Sequence, residues 1–138
     1  VPRRIERSGG LGYATHANLR LEKQHAVRAA VQLVDSIQDA VMVVFTQSGA
    51  TANQAALLRP RSPIYAFVPD EKVCRALTLS RGVRPFAIPF HKKPRDTIAD
   101  AVATLRNRRD IPAGTPLVVF SDTLLMEQAV DSILLEHA

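Results

Sequence analysis

Three short apolar runs constrain the fold of this chain more than any other feature: AVMVVFT at 40–46, IYAFV at 64–68 and LVVFS at 117–121. They are rich in valine and aromatics and scarcely alternate with polar residues. That pattern belongs to strands covered on both faces. The segments between them have a different period. Over residues 18–38, Val27, Val31 and Val34, with Ala30 and Ile37, form a stripe of i, i+4, i+7 spacing and predict an amphipathic helix. Strands and helices therefore alternate within one small domain. Such alternation predicts an α/β fold: a mostly parallel sheet with helices on both faces, a three-layer α/β/α sandwich. Right-handed crossovers follow by default.

Local signals mark the boundaries. Thr51-x-x-Gln54 has the form of a capping box and predicts a helix from Thr51 to Arg59. Pro60 stops it, and Pro63 keeps the next connection extended. Asp70 is placed to cap a helix with Val73, Cys74 and Leu77 inward, and Gly82 reads as its stop. Val83 to Ile88 reads as a third strand, near an edge because Pro85 interrupts it. After the basic turn HKKPR (91–95), Asp96 or Thr97 reads as the cap of a helix with Ile98, Ala101, Val102 and Leu105 inward. Ser132 to Glu136 reads as a fifth strand. DTLLMEQAVD before it fits either a loop or a short helix. Residues 1–17 read as an irregular lead-in to a domain at 18–138.

The 138 residues suffice for one core. The chain has neither an initiator Met nor an apolar leader, so a fragment cut from a longer protein is expected. A single cysteine excludes an internal disulfide and fits a reducing compartment, hence an expected cytoplasmic location. His16, His25, His91 and His137 lack metal-type spacing, so no metal is expected. No apolar run approaches the roughly 18 residues a membrane span needs. A net charge of +5 raises nucleic acid as a partner. Yet the basic residues are dispersed, and the five Phe, two Tyr and no Trp are not interleaved with them. Neither nucleic acid nor membrane is therefore expected as a partner.

The loop after the first apolar run is where chemistry would be found. TQSGAT comprises Thr46, Gln47, Ser48, Gly49, Ala50 and Thr51. It stands at the carboxyl end of a buried strand and the start of a helix, where backbone amides lack partners and the helix dipole favours an anion. Its hydroxyls and a permissive glycine suit a phosphate. A plain capped connection explains the same residues. No G-x-S-x-G surrounds Ser48, and no G-x-x-x-x-G-K-[ST] occurs, which argues against a nucleophile or a P-loop. No catalytic residue is assigned. Lys92 and Lys93, with Ser121, Asp122 and Thr123 at the end of the LVVFS run, are candidates for further contacts to an anion.

The order of VMVVFTQSGATA, LLRPRSPIYAFV and LTLSRGVRPFAI resembles the C-terminal domain of pyruvate kinase, from about residue 20 onward. The resemblance implies a five-stranded sheet whose last strand is antiparallel. It implies a parent enzyme that transfers phosphoryl from phosphoenolpyruvate to ADP with Mg and a monovalent cation, K, on an N-terminal barrel. This segment would then be inert alone, with no cofactor of its own. Its implied partners are that barrel, other copies in a tetramer, and a sugar-phosphate or nucleotide effector, whose phosphate Thr46, Ser48, Gly49 and Thr51 match. Gln47 and Ala50 stand where many members carry Lys or Arg, and DTLLMEQAVD lacks the glycines of the eukaryotic effector loop. Both departures point to a monophosphate rather than fructose 1,6-bisphosphate. The alternatives are a free-standing phospho-ligand module and, third, a basic nucleic-acid-binding domain.

Overall fold

The structure is a computed structural model that describes residues 12–122 and 131–138, with side chains from residue 21 onward. The described residues form four helices and five strands. In chain order they are α1 (Gly12–Ser36), β1 (Val41–Phe45), α2 (Ala50–Leu57), β2 (Ile64–Val68), α3 (Glu71–Leu77), β3 (Val83–Ala87), α4 (Pro94–Asn107), β4 (Pro116–Ser121) and β5 (Ser132–His137). The sheet order is β3-β2-β1-β4-β5. The pairs β1–β2, β1–β4 and β2–β3 are parallel, and β4–β5 is antiparallel. The three apolar runs are the inner strands, and Pro85 lies on the edge strand β3, where a missing amide costs least.

The alternation of side chains along each strand divides the core into two layers. Met42, Val44, Ile64, Ala66, Val118 and Phe120 pack against α1, α2 and α3. Val43, Phe45, Tyr65, Phe67, Leu117 and Val119 pack against α4. The helix crossing from β3 to β4 therefore covers the face opposite to the others. A chain that winds outward from β1 and then returns past it to β4 must do this with right-handed crossovers. The reversal falls between β1 and β4, and the crevice at their carboxyl ends is the topological switch point of the sheet.

Several boundaries differ from expectation. Helix α1 begins at Gly12, so residues 12–17 are helical rather than a lead-in. ATHANLRLEKQ is made largely of good helix formers, and propensity extends the helix beyond its apolar stripe. Thr51 is not the cap of α2. Gly49 is, at φ 88, without a side-chain cap bond. Neither Asp96 nor Thr97 caps α4. Its N-cap is Lys93, with Pro94 in the first turn, where a missing amide hydrogen matters least. Thr97 is fully buried, and its hydroxyl accepts from the amide of His91 at 2.8 Å. Helix α3 ends at Leu77, before Gly82, which instead turns the chain into β3 at φ 82. The Asp70 cap is as expected: its carboxylate accepts from the amide of Lys72 at 2.7 Å.

Candidate functional site

Loop 46–51 leaves β1 at the switch point. Thr46 is buried, its amide donates to the Phe67 carbonyl at 3.1 Å, and its hydroxyl oxygen accepts from the amide of Gly49 at 3.2 Å. The Ser48 hydroxyl oxygen accepts from the amide of Ala50 at 3.3 Å. These bonds fold the loop tightly on itself. Gly49 occupies the left-handed region that L-residues avoid. A Cβ there would also stand 3.2 Å from Leu77 Cδ2 and 3.3 Å from Val73 Cγ1. The glycine thus serves both the turn and the approach of α3.

Of the three loop hydroxyls, only that of Ser48 belongs to an exposed residue, beside exposed Gln47 and Ala50. Thr51 is fully buried and donates to Asp122 Oδ2 at 3.1 Å. This replaces the capping-box role, and Gln54 Oε1 is buried without a hydrogen-bond partner among the described residues. The same Oδ2 forms an ion pair with Lys23 Nζ on α1. Asp122 Oδ1 is buried with no hydrogen-bond partner among the described residues. Asp131 directly precedes β5, whose Ser132 pairs with Ser121 at the end of β4. Its carboxyl is pushed above the usual carboxylate range, first by the loss of some solvation at this otherwise exposed residue, with Lys23 opposing and Asp122 and Glu22 reinforcing.

Of the expected further contacts, Asp122 reaches the loop. Ser121 is buried at the end of β4, opposite Phe45 of β1. Thr123 lies outside the described residues. Lys92 and Lys93 belong to the other face: Phe90, just before them, meets the Phe45 ring edge-on at 5.9 Å on the α4 side. Among the described residues, no hydrogen bond or ion pair links either lysine to the loop. Two cations escaped the reading of the sequence. Lys23 reaches the crevice through Asp122. Lys72, at the start of α3, lines a hollow of about 230 Å³ with Ser48 and Asn53. The Thr51 and Lys23 contacts span 71 and 99 positions, so no local motif announces them. A larger groove of about 730 Å³, lined by Asp35, Asp39, Arg61 and Asp110 among others, lies at the amino ends of β1 and β4, away from the loop.

Among the described residues, no three His, Cys, Asp or Glu side chains come together to hold a metal ion. No helix there is long and apolar enough to cross a membrane.

Fold and loop define an α/β/α domain with a strand-to-helix turn at the switch point of its sheet. The family described as "pyruvate kinase, alpha/beta domain" matches residues 24–133, and the chain belongs to it. A pyruvate kinase from Eimeria tenella is 30% identical over 99 residues, 71% of this chain and 19% of that one. The chloroplastic pyruvate kinase isozyme A of Nicotiana tabacum is 26% identical over 75% of this chain and 17% of its own. The chain thus spans about a fifth of the length of these relatives. In structure, it resembles Cryptosporidium parvum pyruvate kinase in complex with ADP, with a TM-score of 0.71 over 84% of this chain and 23% of that one, at 19% identity. That likeness shows the fold.

Proposed function

We propose that this chain is the regulatory and assembly domain of a cytoplasmic pyruvate kinase, and that loop 46–51 receives the phosphate of a sugar-phosphate or nucleotide effector. The observation that carries the reading is the position of the loop: a tight turn around Gly49, with Ser48 exposed, at the carboxyl end of β1 and the switch point of the sheet. An incoming phosphate would meet the Ser48 hydroxyl and the first-turn end of α2, with the helix dipole in its favour. Gln47 and Ala50 bring no charge, and a charge-assisted bond is roughly twice as strong as a neutral one, so binding is weak. The parent reaction, phosphoryl transfer from phosphoenolpyruvate to ADP with Mg and K, is assigned to an N-terminal barrel. No step of it is given to residues of this chain. Assembly, as a tetramer of the parent enzyme, is supported by edge strand β5, which leaves Ile133 37% and Leu135 52% exposed.

Titration of the chain with glucose 6-phosphate, ribose 5-phosphate, AMP and inorganic phosphate, followed by amide shifts, tests the site. The expected shifts centre on residues 46–51, with dissociation constants in the millimolar range. Amides there that stay unmoved by all four ligands at millimolar concentration would rule the loop out.

A further inference from the structure

The crevice beside the loop already contains an anion of the chain's own. Asp122 Oδ2 accepts from Thr51 Oγ1 and is ion-paired to Lys23 Nζ, so one carboxylate oxygen joins α1, the first turn of α2 and the end of β4. The contact is sheltered: Thr51 is fully buried, and the Asp122 side chain is 14% exposed. A carboxylate held by one hydroxyl and one ammonium uses the donors that a phosphate oxygen would use. The surrounding charge adds to the effect. Asp131 lies within electrostatic range of Lys23, Asp122 and Glu22, and of these four groups only Lys23 is a cation. On the Asp122 side an arriving phosphate therefore meets like charge, and the cation there, Lys23, is already paired, whereas Lys72 lies on the other side of the loop, beside Ser48.

We propose that Asp122 is a resident counter-anion of loop 46–51, holding the Thr51 hydroxyl and the Lys23 ammonium so that a phosphate gains them only by displacing it. This rests on the reading of the loop as a phosphate site and adds its regulation. Occupancy by effector and the Asp122–Thr51–Lys23 contact exclude each other. Lys23 changes partner from Asp122 to phosphate and becomes a ligand contact in the bound state. Any change that draws Asp122 away raises the affinity of the loop for phosphate, without altering the loop itself.

Inorganic phosphate and glucose 6-phosphate, titrated into the chain and into Asp122→Asn with amide shifts as readout, test the proposal. Asp122→Asn is expected to tighten both ligands at least roughly tenfold, with shifts at 46–51, since removing the carboxylate ends the competition and frees Lys23. Adding Lys23→Gln to Asp122→Asn should take back most of that gain. Asp122→Ser serves if the amide does not fold. Equal dissociation constants for chain and variant, with shifts at the loop, would overturn the resident anion and leave the phosphate reading standing. Loop amides unmoved in the chain and in every folded variant would remove the phosphate reading and this proposal together. A gain unaffected by Lys23→Gln would contradict the exchange of partners.

Discussion

Thr51 shows how one hydroxyl changes meaning once distant residues are in place. As a cap it would serve only its own helix. As a buried donor to Asp122 it ties α2 to the end of β4. The two roles make different predictions. In a double-mutant cycle of Thr51→Val and Asp122→Asn, followed by denaturant unfolding, the buried pair should show a coupling of about 0.5–3 kcal/mol. A cap has no business with residue 122, so additive effects would return Thr51 to a purely local role. Asp131 supplies a second check. Its carboxyl pKa is raised in the folded chain, first by the loss of some solvation at an otherwise exposed residue. Between its unfolded and folded pKa values the folded state binds more protons, so its contribution to stability falls as pH rises through that window. Asp131→Asn should therefore stabilise the chain at neutral pH, by less than about 0.5 kcal/mol for so exposed a position, and the gain should vanish as pH falls below the ordinary carboxylate range. Thermal unfolding across pH reads this directly, and a gain that grows on acidification would contradict it.

Among the elements, those whose reasons are local were legible from the sequence. Valine-rich runs with no polar alternation became the three inner strands, and Pro85 marked an edge. The Asp70 cap acts across two residues and was equally visible. Where several local signals compete, the fold chose between them by packing. Gly49 took the cap position of α2 because the turn needs a left-handed residue there, and the side chains of α3 crowd the place of a Cβ. Thr97 went to the core and to the His91 amide rather than to a cap. The start of α1 was missed because its first turns carry no apolar stripe, only residues that tolerate a helix. The candidate loop was found from its place after β1, but Lys23 lay hidden, since only the sheet order brings α1 beside the end of β4. The strand placement has a direct test. Val44 is fully buried in β1, between Ala66 of β2 and Phe120 of β4. Val44→Asp buries an unpaired charge at a cost of several kcal/mol, about the scale of the ~5–15 kcal/mol total stability of a domain. Loss of the cooperative thermal transition is expected, and an unchanged midpoint would mean that Val44 is not in the core.

At the scale of the whole molecule, the doubly wound order explains why loop 46–51 and Asp122 meet. β1 hands the chain outward toward β2, β4 receives it on the other side, and both carboxyl ends open into one crevice. A regulatory role for this domain depends on that crevice taking a phosphorylated ligand. The most direct measurement is a crystal structure of the Asp122→Asn chain grown with glucose 6-phosphate. The expected result is a phosphate at roughly 3 Å from Ser48 Oγ and from amides at the start of α2, with Lys23 Nζ turned toward it. A phosphate bound elsewhere on the domain, with loop 46–51 bare in crystals that leave it open to solvent, would contradict the site and with it the regulatory role proposed for the chain.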